Sequence, residues 1–195
     1  MNFDEIYAIE IARRAVEVAM AGDHSILFIG RWQSAGSELA SYLRRQKPCL
    51  TAHFTTPCPC GFWGSEDREC TCSLEMVGHW HADQFGEHHP YDIYLELPDE
   101  DPDKVMDFLM GRYRFEPEAK MRERIENMTH HDDLGLDDTC EALLKAAVRQ
   151  LRIPARTAQR VIELARTIAN LARSEKIHAA HLAEAIQYRP GEKYR

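Results

Sequence analysis

The chain has 195 residues, 44% of them apolar, and a formal net charge of −8. That length suits one ordinary domain or two small ones sharing an interface, and it can bury a core without disulfide staples. No apolar run approaches the length of a membrane span, and the acidic start Met-Asn-Phe-Asp-Glu lacks the basic-then-apolar pattern of a secretory leader, so a cytoplasmic protein with no membrane partner is expected.

The charge is unevenly spread. Residues 102–195 hold 17 Lys and Arg against 15 Asp and Glu, whereas the first 101 hold 7 against 17. A nucleic-acid contact is therefore to be sought in the second half. Asp4 to Ala21 reads as an amphipathic helix, with Ile6, Ile9, Val16, Ala19 and Met20 on one face and Gly22 as its stop. The run Ile26–Ile29 reads as a buried strand, and a helix follows from about Ser34 to Arg45, closed by Pro48.

The junction, "ILFIGRWQSAGSELA", has the outline of a phosphate-binding loop, G-x-x-x-x-G-K-[ST]. Gly30 and Ser37 hold its two ends, but Ala35 stands where the second glycine belongs and Gly36 where the lysine belongs. Three readings follow: a working nucleotide site, a weak anion seat at a helix N-terminus, or a strand–turn–helix kept for packing, with Ser37 bonding locally.

Leu50–Thr55 is a second strand candidate. Tyr91–Leu97 alternates, with Tyr91, Ile93, Leu95 and Leu97 on one face, and Pro98-Asp99-Glu100-Asp101-Pro102 is an acidic break. Beyond it helices are expected at Asp103–Tyr113, Pro117–Asn127, Asp137–Arg152, Pro154–Ser174 and Ala179–Tyr188, with Pro154 in a first turn. The fold class is therefore α/β: a reduced sheet with flanking helices in residues 1–101, then an all-α domain in residues 102–195. Ala155, Ile162, Ala165, Ile168, Ala169 and Ala172 give the longest helix a small-residue apolar face.

Between the second and third strands lies "TTPCPCGFWGSEDRECTCS", in the loop 57–73. Cys58 and Cys60 form one C-x-C and Cys70 and Cys72 another, with nine residues between. Alternate residues of an extended chain point the same way, so each pair can face one ion. Four thiolates suit tetrahedral Zn²⁺, and structural zinc is the leading expectation, ahead of free or redox-labile thiols and of disulfides. Cys49 and Cys140 read as small buried apolar residues. The histidines His79, His81, His88, His89, His130 and His131 read as exposed loop residues, since their spacing shows no convergence on a metal.

Three blocks, Ile9–Ala40, the cysteine stretch, and "ARTAQRVIELARTIANLARSEKIHAAHLAEAIQYR" (Ala155–Arg189), together resemble the magnesium-chelatase-like AAA+ family, in the branch that includes ComM and YifB. The resemblance implies a P-loop domain, a helical lid and ATP hydrolysis in a ring, coupled in ComM to branch migration of DNA. It places nucleotide at Gly30, Gly36, Ser37 and, on the lid, Arg156, the counterpart of a sensor arginine. The sequence departs from that pattern at the chemical groups. Gly36 replaces the P-loop lysine, and Gln33 and Ala35 replace loop glycines. Only "RQKPCLTA" separates the P-loop helix from the next strand, leaving no Walker B strand ending in Asp-Glu. Thr56 replaces the sensor asparagine, and "FGEHHPYDI", with Pro90, stands where the family carries an arginine. Phosphoryl transfer is mostly positioning and charge stabilisation, so these losses together leave no catalyst and no Mg²⁺ site for ATP.

The expected function is accordingly a non-catalytic member of the family, a partner-binding or scaffold module that self-associates or pairs with a protein. The reduced sheet is expected to leave an exposed edge. The alternative is a DNA-associated ATP-binding protein of the ComM type. Its contacts would come from Arg149, Arg152, Arg156 and Arg160, spaced by three or four, with Arg166 and Arg173 beyond.

Overall fold

In the computed structural model, which describes residues 2–32, 34–65, 68–85 and 91–189, β1 (Ile26–Ile29) is the middle strand of a parallel three-stranded sheet. Its neighbours are β2 (Ala52–Thr55) and β3 (Ile93–Glu96), in the order β2-β1-β3. Ile26 lies opposite Ala52 and Ile93, and Phe28 opposite Phe54 and Leu95. All four residues of β1 are buried, as expected of a central parallel strand covered on both faces. The fold is α/β and mostly helical, with eight α-helices among the described residues: a reduced AAA+-like sheet unit and a helical C-terminal portion.

One face of the sheet, carrying Ile26, Phe28, Ala52, Ile93 and Leu95, joins the main core with α1 (Glu10–Gly22) and α2 (Gly36–Gln46). The other face carries Leu27, Ile29 and Tyr91 in a second small cluster. Tyr91 thus departs from the single face expected for it with Ile93 and Leu95, because it precedes the strand proper.

The first helix also differs from its expected span. Phe3–Glu5 forms a short 3₁₀ turn, closed by a reciprocal cap between Asn2 and Glu5. The chain is then extended to Ile9, and α1 begins only at Glu10. Arg13 explains the break: its buried guanidinium donates to the carbonyls of Phe3 at 3.1 Å and Ile6 at 3.3 Å, folding the leader back across the helix. Gly22 is the last helical residue, and Asp23 ends the helix in a left-handed conformation. A side chain at Gly22 would meet the His24 ring at 2.3 Å and the Thr167 hydroxyl at 2.5 Å.

Helix α3 (Leu74–Phe85) is absent from the expected elements. Of its described side chains only Val77 is buried, so it carries no apolar periodicity to read. Its hold is polar and local, as the site shows below. Helices α4 (Pro102–Leu109), α5 (Glu118–Glu126), α6 (Asp138–Gln150), α7 (Ala155–Leu171) and α8 (Ala179–Gln187) fall within the expected spans or one residue outside them. The stripe on α7 is bulkier than expected: Val161, Leu164, Ala165, Ile168 and Ala169 are buried, while Ala155 and Ala172 are exposed.

The two halves share one core, which runs from Phe3 to Tyr188. Polar contacts add to it. The Tyr94 amide donates to the Tyr188 carbonyl at 2.7 Å, so the end of α8 takes the outer edge of β3. His24 bonds the Thr167 hydroxyl at 2.8 Å. Glu17 on α1 accepts from Arg14 and from Arg124 on α5. No helix among the described residues is long and apolar enough to cross a membrane.

Candidate metal centre and phosphate loop

The cysteine loop begins where β2 ends. The Thr56 hydroxyl donates to the Cys58 carbonyl at 2.8 Å, and the Gly61 amide returns to the same carbonyl at 2.9 Å, closing a turn. Gly61 has φ +85°, a conformation that strains any side-chain-bearing residue, and this reversal lets Cys60 turn back towards Cys58. Helix α3 then grips the loop: Trp80 Nε1 donates to the Thr56 carbonyl and His81 Nε2 to the Pro57 carbonyl, both at 2.8 Å. His81 is therefore a helical anchor rather than an exposed loop residue. The signal for α3 was the His-Trp-His triplet, whose donors serve the loop and not an ion.

Cys58, Cys60, Cys70 and Cys72 converge, with all four sulfurs within 4.8 Å of one another. The sulfur separations are 3.4 Å for Cys58–Cys60, 3.6 Å for Cys58–Cys70 and 3.5 Å for Cys60–Cys70. Tetrahedral Zn²⁺ at ~2.3 Å from each sulfur sets them about 3.8 Å apart, so the cage fits a metal ion such as zinc. All six cysteines are free of disulfides. Burial opposes ionisation of Cys60, but the Phe62 and Thr71 amides and the neighbouring thiols win and bring its pKa down to about 5. Burial pushes Cys70 up to about 12, and Cys72 is raised as well. One thiolate thus forms readily and a metal must displace the remaining protons, so affinity rises with pH. No histidine joins a metal-competent group among the described residues. His88, His89 and Pro90 lie outside those residues. Cys140 is buried as expected, with its thiol on the Ile177 carbonyl, whereas Cys49 is exposed because it sits in the turn between α2 and β2.

In the loop from Gly30 to Ser37, of which Gln33 lies outside the described residues, the lysine position is closed by packing. Gly36 is buried, and a Cβ there would lie 2.4 Å from the Phe54 ring and 2.9 Å from Leu97. The glycine is a packing requirement at the place where a lysine would reach for phosphate. The N-terminus of α2 has no capping side chain of its own. The Glu100 carboxyl lies near the Ala35 amide, so an internal acid stands beside the seat that would be open to phosphate. Burial raises the Glu100 carboxyl above its usual range, with Glu38 adding to the rise and the Ala35 amide opposing it. The crevice at the carboxyl ends of β1 and β3, where open α/β sheets bind ligands, measures about 210 Å³ and is walled by Gly30, Arg31, Glu96 and Asp99. Arg31 is ion-paired with Asp99. Ser37 faces a different cleft, on the far side of β2. Arg156 is exposed on α7 and lines neither cleft. Gly30, Gly36, Ser37 and Arg156 are thus not gathered at one point.

A Gly36→Lys substitution, which restores the motif letter, is expected to destabilise the fold by about 1–3 kcal/mol through overpacking against Phe54 and Leu97. It should create no nucleotide affinity, as equilibrium dialysis with labelled ATP and Mg²⁺ will show; saturable binding by the variant would contradict this account.

The arginine series divides. Arg149, Arg152 and Arg156 are exposed around the α6–α7 junction. Arg160 is committed internally, to Asp92 at 3.5 Å and to the Tyr91 carbonyl at 3.2 Å. Arg166 is buried and donates to the Ser174 and Glu175 carbonyls.

Comparison with known families adds one decisive observation. Residues 109–189 match the model described as magnesium chelatase, subunit ChlI C-terminal. Residues 109–189 are thus similar to the C-terminal domain of the magnesium-chelatase family. The match takes in α5, α6, α7 and α8, the helices that carry Arg149 to Arg166 and close over α1. No curated protein matches the chain. The magnesium-chelatase-like domain thus begins before the helix block that first carried the resemblance and ends at the same residue, Arg189.

Proposed function

We propose that the chain is a non-catalytic, ComM- or YifB-related member of the magnesium-chelatase-like family, acting as a partner-binding or scaffold module. The observation that carries this reading is the blocked lysine position: Phe54 and Leu97 pack against Gly36, and the acid Glu100 lies by the Ala35 amide. Catalysis of phosphoryl transfer needs cations at that point, and the chain supplies a carboxylate.

The partner side of the reading rests on the sheet. β2 is a terminal strand, and no strand pairs with its outer edge among the described residues. β1 takes the bonds of Thr51, His53 and Thr55, so Ala52 and Phe54 turn their backbone groups outward. Arg44 covers the Ala52 carbonyl alone. A cleft of about 510 Å³, lined by Ser37, Ser41, Arg44, His53, Phe54 and Asp83 among others, runs along that edge. An extended segment of another chain, or of a second copy, would complete the ladder there. Native mass spectrometry should show an assembly larger than one chain and no ATP adduct. ATP turnover by the purified protein that is lost on Ser37→Ala or Arg156→Ala would overturn the non-catalytic reading.

The exposed Arg149, Arg152 and Arg156 favour a second reading, DNA binding through the α6–α7 junction. Duplex binding that weakens with salt and falls in a triple alanine variant is its test; no shift at low salt ends it.

A further inference from the structure

Helix α4 and the turn after it are apolar on two sides. On one, Phe108 is buried against Tyr7 and Phe115, with ring centroids 5.6 Å from each. On the other, Met106, Leu109 and Met110 are 47, 69 and 61% exposed. Their spacing of i, i+3 and i+4 aligns them in one stripe. The helix then ends at a left-handed Gly111, with the Arg112 and Tyr113 amides returning to the Asp107 carbonyl. A helix this short that has already buried its anchor has no folding use for a second apolar face.

The rim of the stripe is acidic. Residues 99–113 hold Asp99, Glu100, Asp101, Asp103 and Asp107 against Lys104 and Arg112. Both bases are tied to acids of the same segment, Lys104 to Asp101 and Arg112 to Asp107. Beside the stripe, sharing Met106 with it, opens a cavity of about 360 Å³ walled by Asp99, Glu100, Pro98, Pro102 and Val105, with Arg31 and Ser34 at its floor. Asp99 is paired with Arg31, but Glu100 has no basic partner among the ion pairs of the described residues, and Glu38 is near it. Glu100 is therefore the carboxylate in the cavity that a further cation would relieve.

We propose that this stripe and its acid-walled cavity dock a basic amphipathic helix of a partner protein, apolar side on Met106, Leu109 and Met110, with one lysine or arginine entering beside Glu100. Charge complementarity selects the occupant. An anionic membrane would be repelled by the same rim. A second copy pairing through the same patch would set rim against rim, because a two-fold contact presents the same surface on both sides. Methionines suit the task, since their unbranched side chains repack around different apolar partners. The proposal does not use the β2 edge, and although its cavity shares Glu100, Arg31 and Ser34 with the loop after β1, peptide docking and ATP turnover are read by separate measurements.

The test uses the full chain and a labelled 14-residue helical peptide of leucine and lysine with its leucines on one face. Fluorescence anisotropy should show saturable binding that weakens as salt rises. The double variant Met106→Ser, Leu109→Ser, exposed positions whose change leaves the melting temperature unmoved, should weaken it about tenfold or more. Glu100→Gln, which removes the charge and keeps the shape, should weaken it about threefold. Equal affinity for a scrambled peptide of the same composition, or for the double variant, overturns the proposal. So does binding of the matching leucine–glutamate peptide, association with phosphatidylserine vesicles through the stripe, or a stripe-dependent dimer that excludes the peptide.

Discussion

Purified under reducing conditions, the protein should carry one zinc ion per chain, visible as a mass increment in the native spectrum and lost on treatment with a strong chelator. The four sulfurs already stand at separations close to those of a tetrahedral site. A structural zinc can contribute on the order of 10 kcal/mol to the folding of a short loop. Metal removal should therefore release the loop 57–73 and loosen α3, which is bound to that loop through Trp80 and His81. The sheet and the C-terminal helices do not depend on it, so circular dichroism should fall only by the helical signal of α3. Cys58→Ser is the sharper variant, because Cys58 is buried and its sulfur also accepts the Trp63 amide. Binding should weaken as pH falls, since protons compete for the sulfurs. Ready alkylation of Cys58, Cys60, Cys70 and Cys72 with no metal in the native protein would refute the zinc assignment.

Glu17→Gln should lower stability by about 3 kcal/mol, the low end of the cost of removing one partner from a buried ion pair. For a chain of this size that corresponds to a fall of roughly 6–12 °C in melting temperature. Glu17 is 3% exposed in its side chain and accepts Arg14 at 2.9 Å and Arg124 at 2.6 Å and 3.2 Å. The neutral amide would leave two guanidiniums sharing one oxygen. The figure stays at the low end because both arginines are about a third exposed and can turn to water. Glu116 is the control. It also pairs with Arg124, at 2.6 Å, but is far more exposed, and Glu116→Gln should cost less than about 1 kcal/mol. The Arg124 bond holds the Glu116 carboxyl below its usual range. Its contribution is complete above the ordinary glutamate value and is lost as pH falls through its lowered one. Thermal melts of the two variants against pH separate these effects; equal losses would show that the buried carboxylate is not special.

Much of the architecture was readable before any coordinates. The continuous apolar run Ile26–Ile29 read as a buried strand, and it is buried at all four residues; its central place and parallel pairing came from the structure. The helices after the acidic break were legible in the sequence, but their starts shifted: Pro102 opens α4 behind the capping Asp101, and Pro154 caps α7 rather than sitting in its first turn. Two C-x-C pairs implied a convergent set of thiols, and the four sulfurs do converge. Elements held by distant or polar contacts were not readable. Helix α3 has no apolar stripe because its ties are two side-chain donors on loop carbonyls. The leader before α1 looked helical by pattern, and only the buried Arg13 shows why it is not.

The sequence by itself determined which groups exist: the missing lysine at Gly36, the four thiols, and the apolar periods that build the helices of the magnesium-chelatase-like portion. Tertiary structure alone decided what fills the places those groups left. Glu100, sixty-five residues from Ala35 in the chain, reaches the α2 N-terminus because the β3 exit brings the acidic break alongside it. Glu17 finds Arg124 across 107 positions for the same kind of reason. Local pattern reports what a residue can do at its own helix or strand. Which charge meets which amide, or which ring covers a glycine, depends on packing between segments whose separation along the chain leaves no periodic trace.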